Sequence, residues 1–147
     1  MNTTRLKRRS GKEGFSLAEL MVVIVIIGLL ATVVLPNVWK SLFKAKRGVA
    51  ATSISALRFA AESYARDKGS WPDSLEQLVE RDSDGLAYLQ QSQVPKDPWG
   101  NEFLYEKPRA GESLPSIFTY GADGAPGGEG QDGDITLQDV IDGNVDG

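Results

Sequence analysis

The sequence predicts an α+β fold: one long N-terminal helix, transmembrane in its first half and amphipathic in its second, packed on a small antiparallel sheet. Three observations predict it. An almost unbroken apolar run covers Phe15 to Trp39, an apolar stripe at helical spacing covers Ala50 to Tyr64, and two short alternating segments lie farther on between turn residues. At 147 residues the chain has room for one modest domain beside the apolar run. The division that follows is 1–14 as a basic leader, 15–39 as the membrane span, 40–67 as the continuing helix and 68–147 as the globular region.

The leader carries Arg5, Lys7, Arg8, Arg9 and Lys12 against Glu13 alone. A basic head before an apolar run suggests a secretory signal, but the run is too long for a signal core and no small-x-small site follows it. Spanning a bilayer takes about 20 residues, which this run supplies. The small residue, Gly14, precedes the run, so the predicted cut falls between Gly14 and Phe15. The hydrophobic helix then stays in the mature protein. Charge counting leaves its orientation open, because Lys40, Lys44, Lys46 and Arg47 flank the other end.

Glu19 lies inside the apolar run. A carboxylate at the centre of a spanning helix costs roughly 2.5–3.5 kcal/mol on insertion scales, so it calls for a partner. One reading is an interfacial Glu near a helix N-terminus, favoured by the macrodipole. The other is pairing with the α-amino group that the cut frees on a neighbouring copy, which would set the axial step between copies. Pro36 removes a backbone donor and is expected to bend or locally melt the helix near the membrane surface.

The run Gly14-Phe15-Ser16-Leu17-Ala18-Glu19-Leu20-Met21-Val22-Val23-Ile24 resembles the class III leader junction of type IV pilins and pseudopilins. The resemblance implies cleavage after Gly14 by an inner-membrane prepilin peptidase, N-methylation of Phe15, and assembly roles for Glu19 and Pro36. It also places the N-terminus in the cytoplasm and implies a pilin-like fold.

Past the membrane run, Ala50, Ile54, Leu57, Ala61 and Tyr64 recur at steps of four and three, with Lys44, Arg47, Arg58, Glu62 and Arg66 on the polar side. The helix should end near Asp67, with Gly69 able to take the left-handed terminating conformation. Asp73 and Glu76 read as a capping-box variant opening a short helix at Leu75. Leu86 to Leu89 fits a second short helix or a docked loop. Two prolines exclude a central strand from Val94 to Asn101. Glu102–Glu106 and Ile117–Tyr120 are the candidate strands.

Composition excludes much chemistry. Cysteine and histidine are absent, which rules out disulfides and any Ser/His or Cys/His hydrolytic pair. No Gly-Lys-Ser/Thr phosphate loop occurs. The chain has a formal net charge of -4, and past Thr119 it has acids but no base, so nucleic acid is not an expected partner. The acids there repel unless neutralised, and the glycines among them let carbonyls turn inward. Oxygen donors on a flexible loop suit Ca²⁺, while a disordered acidic tail is the plainer alternative. Asp132-Gly133-Asp134 with Asp139 also matches the later half of an EF-hand loop, although Gly128 and Gly130 fall where its first ligands belong.

Asp97-Pro98-Trp99-Gly100-Asn101 resembles a signature of the major pseudopilins of type II secretion systems. Tyr120 to Asp123, continuing through Gly127-Gly128-Glu129-Gly130, is similar to that family's C-terminal loop. The tail from Thr136 departs from the family, which more often shows Asn and Trp there. The resemblance implies calcium held by the Tyr120 carbonyl, Asp123, Asp132 and Asp134, with another carbonyl from Gly127 to Gly130. It further implies a homopolymer on the bacterial inner membrane, its globular part in the periplasm. Its expected partners are minor pseudopilins, the prepilin peptidase and an inner-membrane assembly platform, and no enzymatic activity of its own. A type IV pilin, a minor pseudopilin and a membrane-anchored periplasmic calcium-binding module or enzyme are the alternatives.

Overall fold

The computed structural model describes residues 14–145. Of the leader, only Gly14 falls among them. The chain divides into two compact units after Trp39.

Helix α1 runs from Leu17 to Lys68. It opens on a capping box: Ser16 N donates to Glu19 Oε2 at 2.7 Å and Glu19 N donates to Ser16 Oγ at 3.2 Å. In the first unit this helix buries almost nothing. Its most apolar 18-residue window has a mean hydropathy of 2.8 and none of it is buried. The helix is long and apolar enough to cross a membrane, and that surface calls for cover by lipid or other apolar helices. Helix assignment continues through Pro36, so local melting does not occur there. The polar side chains nearby turn onto the backbone instead, with Thr32 Oγ1 on Leu29 O at 2.7 Å.

In the second unit the predicted stripe of α1 becomes the core. Ala50, Ile54, Leu57 and Ala61 are fully buried, and join Leu78, Ile117 and Ile135 in one cluster. Tyr64 packs on its edge and meets Tyr88 with ring centroids 5.2 Å apart. The helix stops at Gly69, whose φ of +76° an L side chain would resist.

A 3-10 turn at Leu75–Leu78 buries both of its leucines in the same core cluster. The Asp73 capping box is not formed. Ser74 precedes the turn without a side-chain cap, and the Asp73 carboxylate pairs with Lys107. Leu86 to Leu89 is the docked loop rather than a helix, tied by Leu89 N to Leu78 O at 2.8 Å.

The sheet has three antiparallel strands in the order β1 (Leu104–Glu106), β2 (Ser116–Thr119) and β3 (Ile135–Thr136). Tyr105 faces Ile117 and Thr119 faces Ile135 across the two ladders. Period-two alternation puts Ile117 and Thr119 inward on β2. The third strand and helix α2 (Leu137–Asp142) go beyond the sequence expectation.

Candidate functional site

Two segments carry the predicted site residues: the start of α1 and the loop from Tyr120 to Asp134. At the first, Gly14 and Phe15 precede the helix in exposed chain, with Phe15 79% exposed. Glu19 lies one turn beyond, its carboxylate on the Ser16 amide. The carboxylate thereby caps its own helix. Cleavage before Phe15 would create an amine one residue from that amide.

The second segment is built on the Asp97–Asn101 turn. The Asp97 carboxylate is 5% exposed. Its Oδ1 accepts from Trp99 N at 3.0 Å and Asn101 N at 2.7 Å, while Oδ2 accepts from the Thr119 hydroxyl at 2.5 Å. Gly100 closes the turn with φ of +100° and donates to Asp97 O at 3.0 Å. Asn101 Nδ2 then donates to Gly121 O at 2.8 Å, and Gly121 N reaches Thr119 Oγ1 at 3.3 Å. This turn positions the first residues of the acidic loop.

Gly121 sits so close to the loop's return that a Cβ there would lie 2.5 Å from Gln131 O, and one on Gly128 would lie 2.5 Å from Asp132 O. Both glycines also have positive φ. The loop thus folds back on itself, and Ala122 N bonds Gln131 O at 2.9 Å. Asp123 and Asp132 are exposed, and Asp123 Oδ1 accepts from Ala125 N at 3.0 Å. Asp134 is half-buried, with both oxygens on Gly127 N at 3.0 and 3.1 Å. Among the described residues no three Asp, Glu, His or Cys side chains are grouped to hold a metal ion. The donors in the loop are nonetheless all oxygens, the set that suits a hard cation such as calcium.

Asp139, which matches an EF-hand position in the sequence, is engaged at the start of α2. It forms a capping box with Thr136: Asp139 N donates to Thr136 Oγ1 at 3.2 Å, and Thr136 N donates to Asp139 Oδ2 at 2.9 Å. Thr136-x-x-Asp139 before Leu137, Val140 and Ile141, with Gly143 after them, is a legible helix signature. The tail that departs from the resemblance is this helix, with Leu137 buried and Val140 packed on the core.

Arg47 corrects the sequence reading more deeply. Expected on the polar side of α1, it is 5% exposed. Its guanidinium donates to the carbonyls of Val145 at 2.7 Å, Gly130 at 2.7 Å, Gly133 at 2.8 Å and Asp134 at 3.4 Å. No local pattern distinguishes Arg47 from Lys44 or Arg58 in the sequence. Arg58 does behave as expected, pairing with Glu62 at 3.5 Å along the helix surface.

Both segments fall within matches to known families. Residues 37–138 match the family described as type II secretion system (T2SS), protein G. Residues 9–35 match the prokaryotic N-terminal methylation motif, whose first part lies outside the described residues. Similar proteins named type II secretion system core protein G occur in several bacteria. That of Vibrio cholerae is 38% identical over 147 residues, covering 93% of this chain and 99% of its own length. That of Pseudomonas aeruginosa is 37% identical, covering 87% and 96%, and that of Escherichia coli is 36% identical, covering 80% and 87%. An N-terminal methylation motif at the head of an uncovered apolar helix, and a globular unit matching over nearly its whole length, place this chain in the family of type II secretion system protein G.

Proposed function

We propose that this chain is the major structural subunit of the type II secretion pseudopilus. Cleavage between Gly14 and Phe15 by the prepilin peptidase, with methylation of Phe15, gives the mature subunit. It waits in the bacterial inner membrane through residues 15–39, with its globular unit in the periplasm. Copies then pack their apolar helices side by side into a periplasmic filament that drives proteins across the outer membrane. Minor pseudopilins and the inner-membrane assembly platform are its partners. The observation that carries this reading is the apolar half of α1, which is left exposed among the described residues. Lipid covers it before assembly, and neighbouring helices cover it afterwards.

Glu19 gives the filament its register in this reading. Within one copy its carboxylate caps the helix; in the filament it pairs with the Phe15 amine of a neighbour, so two charges costly in an apolar setting neutralise each other. Capping and pairing are separable, because Gln serves a capping box as Glu does but has no charge. With overexpressed protein and electron microscopy of sheared cells, Glu19→Gln should abolish filaments while subunit levels in the membrane stay normal. Ser16→Ala, which removes the Oγ half of the cap and leaves the charge of Glu19, should still assemble. Filaments from Glu19→Gln at wild-type abundance would sink the pairing role.

The loop reading completes the proposal: Asp123, Asp132 and Asp134, not grouped among the described residues of this structure, would close on a calcium ion with the Tyr120 carbonyl. Its support is the oxygen-only donor set on glycine-turned backbone, and the resemblance of this loop to that of the family. The ion would stabilise the loop in a chain that has no cysteine to staple it.

A further inference from the structure

We propose that Arg47 is a positioning residue: a covalently supplied cation on α1 that organises the C-terminal loop without any metal. The guanidinium is almost wholly buried, and the groups facing it include four backbone carbonyl oxygens, those of Gly130, Gly133, Asp134 and Val145. These come from the return of the loop, its junction with β3 and the chain beyond α2. A single side chain therefore ties three separated stretches to the helix, across sequence separations of 83 to 98 residues.

The chemistry is that of a hard-oxygen cage with an organic cation inside it. Carbonyls that converge on one point repel through their negative ends, and a buried charge is costly unless it is hydrogen-bonded. Each solves the other's problem. The planar guanidinium has five diverging N–H donors, and three of its nitrogens are used here; a lysine ammonium offers one nitrogen and cannot span the same acceptors.

Where calcium is bound as proposed above, Arg47 restricts which carbonyls can reach it. The Gly130 carbonyl is taken by Arg47, and a divalent ion bound to it would sit against a fixed positive charge. The carbonyl supplied to calcium must then come from Gly127 to Glu129, beside that of Tyr120. Ordering of the loop return belongs to Arg47, and ordering of its start belongs to the ion.

The test uses the full-length chain in detergent micelles, with Arg47→Met and Arg47→Lys, read by amide hydrogen exchange in chelator and in calcium. In chelator, Arg47→Met should exchange about tenfold faster or more over 128–145, while the α1 and β2 core segments keep their protection. Arg47→Lys should fall between Arg47→Met and the parent. Equal exchange of the loop in Arg47→Met and the parent would overturn the proposal. So would a loss shared evenly with the core, which would make Arg47 a general stability residue. Loop exchange insensitive to calcium in every protein, with the Arg47 effect intact, supports the proposal and removes only the calcium reading.

Discussion

Asp97 is a carboxylate with 5% exposure that accepts from two backbone amides and a buried hydroxyl, all within 3.0 Å. Hydrogen bonds to a charged group are worth more than neutral ones, and removing the acceptor leaves the buried Thr119 hydroxyl proton without that partner. Asp97→Ala is therefore expected to destabilise the folded unit by about 2–4 kcal/mol, measured as a fall in denaturation midpoint of the full chain. Asp97→Asn should cost less, since its amide oxygen still accepts from the turn. The sequence showed that Val94–Asn101 could not be a central strand. It could not show that the aspartate faces inward, because its Thr119 partner lies on a strand 22 residues away.

At the scale of elements, β1 and the chain before the 3-10 turn are joined through Tyr105, whose hydroxyl donates to Pro72 O at 3.0 Å. Burial, with the charge of Asp73 adding to it, pushes the Tyr105 phenol up to about 12. The folded value lies above the ordinary value of 10.0. The contribution to stability is therefore complete below pH 10 and disappears as pH rises through about 12. Alkaline unfolding followed by far-ultraviolet circular dichroism should show this loss, and Tyr105→Phe should remove its pH dependence. Asp73 behaves in the opposite sense. Lys107 holds it below its ordinary value, so its contribution is present at neutral pH and lost on acidification. Elements with strong periodicity were legible: the helical stripe of α1 and the alternation of β1 and β2. A two-residue β3 offers too few positions for a period, and its pairing with β2 depends on the loop between them.

For the whole molecule, the proposed calcium ion and Arg47 share the task a disulfide performs elsewhere. Binding to the folded state alone stabilises it by RT ln(1 + [L]/Kd), about 2.7 kcal/mol at a hundredfold excess over Kd. The melting temperature of the full chain in detergent should accordingly rise with calcium and fall back with chelator. Asp132→Ala should abolish the difference. An identical melting curve in both conditions would remove calcium from the account and leave the loop to Arg47.

The N-terminal start of α1 and its run of unburied apolar residues were determined by the sequence alone, because both are local. Ser16-x-x-Glu19 caps its own first turn, and apolar residues on every side of a helix need a surrounding apolar phase whatever the rest of the chain does. The capped start of α1 and the membrane-length helix are legible for that reason. Only the tertiary structure decided what Arg47, Asp97 and Asp139 do. Sequence period assigns a polar residue to a face; it does not say which carbonyls or hydroxyls another part of the chain brings to that face. Arg47 was assigned to the polar side of the helix, and packing covered that position with the end of the chain.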